Sequence, residues 1–202
     1  MVHPDATVEV RAPKFIPEFA IKAFIKSKED WIEKRGEFVR KNKALKKQFV
    51  NGERFQLLGK DYTLLIGNYT AIEIKDGNIL FPLGMVSHGR EMLEKWYVRQ
   101  AKVIIKNLVD EYSKSMGTSY NGLTFSDTSS KWGSCTHDNR LQFNWRLVMT
   151  PLLVVRYVVI HELAHTFEKN HSAKFWNKVR SVNPSYKAQI KWLKLHGGML
   201  KF

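Results

Sequence analysis

The chain has a single cysteine, Cys135, in 202 residues. One thiol cannot form an internal disulfide, so a disulfide-stapled scaffold is excluded and a reducing compartment such as the cytoplasm is expected. Zinc scaffolds built on several cysteines are excluded too, and any metal must rest on histidine and carboxylate. No apolar run approaches the roughly eighteen residues that would span a bilayer. The opening segment, MVHPDATVEVRAP, lacks the apolar centre of a signal peptide. No membrane partner is therefore expected. Low-complexity linkers and internal repeats are also missing, which favours one domain over a string of modules.

Acidic residues are scarce: 19 against 33 Lys and Arg, for a net charge of +14. The imbalance is concentrated. Residues 166–202 carry Glu168 as their one acid among many lysines, and residues 36–50 carry Glu37 alone. Such a surface suits an anionic partner, whether nucleic acid, nucleotide or acidic protein. It is equally the solvated face of ordinary helices, because charge alone fixes no partner.

Hydrophobic periodicity divides the chain. Residues 7–11 (TVEVR) alternate like a strand, and 17 to about 35 have helical spacing. The basic stretch 40–47 either extends that helix or forms a short one of its own. Residues 53–58, 62–66, 71–75 and 78–81 alternate with period two and are expected as antiparallel strands, with Gly59-Lys60 and Asp76-Gly77 as turns. Residues 90–115 return to a helical stripe through Leu93, Tyr97, Ala101, Ile104, Ile105 and Leu108, stopping at Gly117. Strands follow at 123–126, 131–135 and 141–148, then helices at 151–169, 172–182 and 185–196. The fold class is α+β, with helices packed on a small, mostly antiparallel sheet. A β-rich N-terminal subdomain is expected over about 1–83 and a catalytic core over about 84–202.

The helix from Pro151 carries the chemistry. Its first turns, LLVVRYVVI, are apolar almost all round, so it should be buried, with Thr150 suited to cap it. HELAH then follows. Burying two histidines and a glutamate without partners is costly, and a metal resolves that cost. His161 and His165 are one turn apart on one face, within reach of a single zinc. Glu162 is rotated by about a quarter-turn, beside the metal rather than on it, where it can take a proton from the water that the metal activates. A catalytic zinc needs a third protein ligand. On a continuous helix His171 would sit about 15 Å beyond His161, so as a ligand it requires the helix to end near Lys169. Asn170 suits such a break, and Ser172 can cap a new helix anchored by Phe175 and Trp176. One zinc per chain is expected, although cobalt, manganese or nickel could use the same ligands.

A second motif is Lys131-Trp132-Gly133-Ser134-Cys135, leading to Asn144 and Trp145. It reads as a core hairpin and also as the strand edging a cleft, where an extended substrate could pair with its backbone. Trp132, Gly133, Ser134 and Asn144 are the candidate substrate-binding residues, and Gly133 would let another backbone approach closely. Cys135 and Ser134 lack the settings of cysteine and serine nucleophiles. His3, His88, His137 and His196 have no ligand-like spacing. Tyr157 lies one turn before His161, placed for either the core or the site.

At HELAH-x5-H the sequence resembles the YgjP-like metallopeptidase-domain family, related to the SprT-like and WLM zinc peptidases. VEVRAP, the Trp31-Ile32 helix, KWGSC, NWRLVMTP, YVVIHELAH and NHSAKFW look like that family's segments in its order. The resemblance implies a zincin-like core, zinc on His161, His165 and His171, Glu162 as catalytic base, and a cytoplasmic protein. Two departures stand out: a strand that usually precedes VEVRAP is not fully present, and Glu168 stands where metzincins end the helix with glycine. The expected function is zinc-dependent hydrolysis, chiefly of peptides or proteins. The same site could instead hydrolyse a nucleotide phosphoanhydride, and a nucleic-acid-associated module with structural zinc is the reading from another class. Glu162 separates that last reading from the others, since a structural site has no use for an adjacent base.

Overall fold

The structure, a computed structural model, describes residues 7–13, 15–41, 47–128 and 130–197. The chain forms two compact units, residues 1–46 with 195–202, and residues 47–194. Residue 83, where a subdomain boundary is expected, lies inside the second unit.

In the first unit the expected helix is two helices, α1 (Glu18–Lys26) and α2 (Glu29–Lys41). They separate where the Ser27 hydroxyl donates to the Phe24 carbonyl at 2.7 Å, a side-chain bond that competes with the helical ladder. Residues 7–11 are not a strand, showing only an isolated bridge at Val8. Of the basic stretch 40–47, residues 42–46 lie outside the described residues.

The second unit opens with β1 (Arg54–Leu57), β2 (Lys60–Gly67), β3 (Glu73–Lys75) and β4 (Asn78–Pro82), in the order β1-β2-β4-β3. The antiparallel expectation holds for β1–β2 and β3–β4 but fails for β2–β4, which run parallel. The ten residues after β2 carry β3 to the outer edge, so β4 returns beside β2 in the same direction. Two turns with paired left-handed residues close the hairpins: Leu58-Gly59 (φ 51° and 77°) and Asp76-Gly77 (φ 47° and 76°). The first of these packs on residues 148–151. A Cβ on Gly59 would come within 2.8 Å of the Pro151 Cα, and Leu58 N–H donates to Val148 O at 2.7 Å.

The long helix α3 (Gly89–Met116) buries Leu93, Tyr97, Ala101, Ile105 and Leu108, with Gly117 as a left-handed cap. The Tyr97 hydroxyl donates to Gln56 O at 2.7 Å, tying α3 to β1. A three-stranded sheet follows: β5 (Gly122–Ser126), β6 (Gly133–Cys135) and β7 (Arg140–Asn144), ordered β5-β7-β6. Here β6 is an edge strand, antiparallel to β7. β7 stops at Asn144 rather than continuing to Val148, because Asn144 Oδ1 accepts from Arg146 N–H at 2.9 Å and starts a 3-10 turn over Trp145–Met149. The Thr150 hydroxyl does not cap the next helix; it donates backwards to Leu147 O at 2.8 Å.

That helix, α4 (Leu152–Ala164), is buried along most of its length, Val155, Val159 and Leu163 completely. α5 (Ala173–Val182) starts at Ser172, whose hydroxyl accepts from Phe175 N–H at 3.3 Å, as expected. α6 (Tyr186–His196) ends the described chain. The architecture is mixed α+β. Among the described residues no helix is long and apolar enough to cross a membrane.

Candidate metal centre

His161 sits in the last turn of α4 and His165 at its C-cap. The helix stops at Ala164, one turn sooner than the break expected near Lys169. Local side-chain bonds end it: the Thr166 hydroxyl donates to Leu163 O at 2.7 Å, and His165 Nδ1 lies 3.0 Å from Glu168 O. The turn then brings His171 back over the helix end. His161 Nε2 and His171 Nε2 are 3.1 Å apart, and ligand atoms of all three histidines lie within 4.8 Å of one another. Two nitrogens bound to one tetrahedral zinc at 2.0–2.1 Å stand about 3.3 Å apart, which the His161–His171 pair already matches.

The rings are oriented for ligation. With Nδ1–H donated to the Glu168 carbonyl, His165 keeps the Nε2 lone pair free for a metal. Tyr157 Oη lies 3.4 Å from His161 Nδ1 on the same helix face, and Tyr157 is also 6% exposed, so it belongs to both core and site. Phe175 packs against all three rings, at centroid distances of 4.9, 4.4 and 4.8 Å. Trp176 stacks on His171, and Tyr186 stacks on Trp176. Burial and the neighbouring imidazoles push His161 down to about 3, and burial lowers His165 as well. Both rings are therefore neutral at ordinary pH, the form that binds metal. Three imidazoles suit zinc and its first-row neighbours. Among the described residues no other histidine joins the cluster, and His3 lies outside them.

Glu162 is 5% exposed and faces β6. A Cβ built on Gly133 would lie 2.6 Å from Glu162 Cγ and 2.7 Å from its Oε1. The close approach at Gly133 is thus made by a side chain of α4 rather than by the backbone expected there, in a space that only hydrogen leaves open. Burial pushes the Glu162 carboxyl up to about 8, against the pull of the Lys131 ammonium. Lys131 Nζ in turn donates to Ser134 Oγ at 3.0 Å.

The other candidates separate. Trp132 is half-buried and its carbonyl accepts from Asn144 N–H at 2.9 Å. Asn144 is 5% exposed, and its side chain is engaged within the chain: Nδ2 donates to Thr128 O at 2.6 Å while Oδ1 holds Arg146 N–H. Gly133 and Glu162 are brought together, whereas the Asn144 amide braces the hairpin from behind. Lys131 and Lys169 are polar neighbours of the site that spacing does not single out, since an exposed lysine in a basic chain carries no signal of its own.

These shifts predict a two-sided stability profile for the metal-free protein. Between about 3 and 6.5 the unfolded chain holds the His161 proton more readily than the folded one, so stability rises with pH. Between 4.5 and about 8 the folded chain holds the Glu162 proton more readily, so stability falls as pH rises. The slopes oppose one another from 4.5 to 6.5, and Glu162 acts alone above that window. Thermal melts after chelation should show a falling midpoint from pH 6.5 to 8, and Glu162→Gln should abolish that fall. An identical slope in the variant would remove Glu162 as its source.

An α+β chain that gathers three imidazoles beside a buried carboxylate is a protein with a candidate metal centre. The family described as YgjP-like, metallopeptidase domain, matches residues 1–196, and the chain belongs to it. Among solved structures, the metallopeptidase zymogen of Methanocaldococcus jannaschii jannalysin is 27% identical, with TM-score 0.38, over 45% of this chain and 91% of that one. The metallopeptidase zymogen of Pyrococcus abyssi abylysin is 17% identical, with TM-score 0.42, over 46% of this chain and 95% of that one. No curated protein matches the chain significantly.

Proposed function

We propose that the chain is a zinc metallopeptidase with one zinc per chain, held by His161, His165 and His171, and with Glu162 as general base. The observation that carries this reading is the convergence of three imidazole nitrogens next to a buried carboxylate. Three protein ligands leave a coordination position open, as catalytic zinc sites do. A bound zinc supplies Lewis acidity, which polarises the scissile carbonyl and acidifies water.

The chain's own residues do the rest. The Glu162 carboxylate takes the proton of the attacking water and returns it to the leaving amine. Its burial favours the protonated form it passes through, and the positive charge of a metal favours the carboxylate it starts from. Among the described residues β6 pairs on one side only, leaving an edge beside Glu162 where an extended peptide can align on Gly133 and Ser134 with Trp132 at its border. Asn144 contributes by holding the Trp132 carbonyl in place. A cytoplasmic location belongs to the same reading and rests on the lone Cys135. Membership of a metallopeptidase-domain family favours a peptide or protein substrate, and no feature of the site favours a nucleotide or a nucleic acid.

The test is a panel of peptides, unfolded proteins and nucleoside triphosphates, presented to protein as purified, stripped by a chelator and reloaded with zinc. Peptide cleavage should vanish on stripping and return with zinc. Cleavage unaffected by stripping would overturn the zinc assignment, and hydrolysis of triphosphates alone would overturn the peptidase assignment.

A further inference from the structure

His171 is the ligand with the least backbone support. Among the described residues, the chain at positions 169, 170 and 171 makes no backbone–backbone hydrogen bond. α4 has ended and α5 has not begun, so neither ladder holds the third ligand. Two side chains tie this stretch down. Asn170 Oδ1 accepts from Ser172 N–H at 3.2 Å, which is a local tie. Lys169 makes the distant one. Its ammonium donates to Thr136 O at 2.9 Å and to Asn139 Oδ1 at 2.5 Å, and lies 3.8 Å from Cys135 Sγ.

All three acceptors belong to the end of β6 and the turn into β7. That turn is closed on its own account. Thr136 N–H donates to Arg140 O at 2.9 Å, Asn139 N–H donates to Thr136 O at 3.1 Å, and Asn139 takes the left-handed conformation at φ 60°. It is therefore a fixed anchor rather than a loop that Lys169 must order. An ammonium has three donors, and here each is aimed at an acceptor of one rigid turn.

We propose that Lys169 is a positioning residue for metal binding, clasping the ligand-bearing turn to the β6–β7 hairpin so that His171 stays within reach of the ion held by His161 and His165. This rests on the three-histidine reading of the site. The hairpin that receives the clasp is the one whose β6 meets Glu162 at Gly133. Without it, the turn keeps the packing of His171 on Phe175 and Trp176 but loses its polar attachment to the hairpin, and the third ligand spends time away from the ion.

Zinc affinity of Lys169→Met, Lys169→Arg and Asn139→Gly, measured by competition with a chromophoric chelator, tests the clasp. Loss of a contact that orients a ligand costs about 10–100-fold in metal affinity. Lys169→Met should show a loss of that order, Lys169→Arg should recover part of it, and the thermal midpoint of the metal-free protein should stay unchanged in both. Asn139→Gly removes one acceptor while keeping the left-handed backbone, and should weaken zinc in the same direction. It decides the matter should Lys169→Met fail to fold. Wild-type affinity in Asn139→Gly and in a folded Lys169→Met would overturn the clasp. His161→Ala is the control for the underlying reading: zinc retained there overturns the three-histidine site itself, whereas zinc lost there and kept in the Lys169 variant overturns the clasp alone.

Discussion

Glu162→Gln should keep its full zinc content and lose about 10²–10⁴-fold in peptide turnover, the usual range for removing a general base. The amide has nearly the shape of the carboxylate, so the contact with Gly133 and the burial at 5% exposure are preserved. An amide cannot accept the water's proton, so the loss falls on the chemical step. The three imidazoles lie on other atoms and keep their geometry. Metal analysis and initial rates on a cleaved peptide read the two effects separately. Turnover equal to wild type would remove Glu162 as the base, and loss of zinc in this variant would make it a ligand instead.

Gly133→Ala should be the most damaging small substitution outside the ligands and the base. Its methyl carbon would stand 2.6 Å from Glu162 Cγ and 2.9 Å from Cδ, whereas carbon atoms in contact prefer about 3.5–4.0 Å. Glu162 is the flexible partner of the pair, so its carboxylate moves by about an ångström while β6 stays paired to β7. A misplacement of that size costs on the order of 10²-fold in rate, and overpacking costs about 1–3 kcal/mol of stability. Zinc content should remain that of the wild type. Rates and melting midpoints of Gly133→Ala beside Ser134→Ala, whose Cβ already exists, check the steric origin. Equal rates in wild type and Gly133→Ala would show that the carboxylate does not need its present position.

Much of the site was legible in sequence because it is local. His161, Glu162 and His165 obey helix geometry, and Ser172 has the chemistry of a cap, which it performs. α3 was equally readable, with a long apolar stripe and a glycine at its end. The end of α4 was not. Asn170 is the visible break signal, yet His165 and Thr166 end the helix earlier by bonding to nearby carbonyls, a competition that propensity does not report. The parallel pairing of β2 with β4 was hidden for a different reason. Alternation marks a strand and its faces, but the order of strands in a sheet depends on contacts between distant segments. Gly133 lies between these cases. A glycine inside a strand signals a close approach, while the identity of the approaching group, Glu162, appears only in three dimensions. Lys169 gave no signal at all, since its three acceptors lie some thirty positions upstream.

The two halves of the site also differ in how far along the chain they are assembled. The three imidazoles come from the short segment His161 to His171, on α4 and the turn that follows it. The surroundings of Glu162 need β6, where Gly133 lies 29 positions earlier. Closing the longer loop is the less local event and the more easily undone, because among the described residues β6 has a strand on one side only. Fraying at that edge unmakes the pocket around Glu162 and slackens the Lys169 tie to the hairpin, while His161 and His165 stay fixed on α4. The two α4 histidines and the setting of Glu162 are therefore secured by contacts of different range.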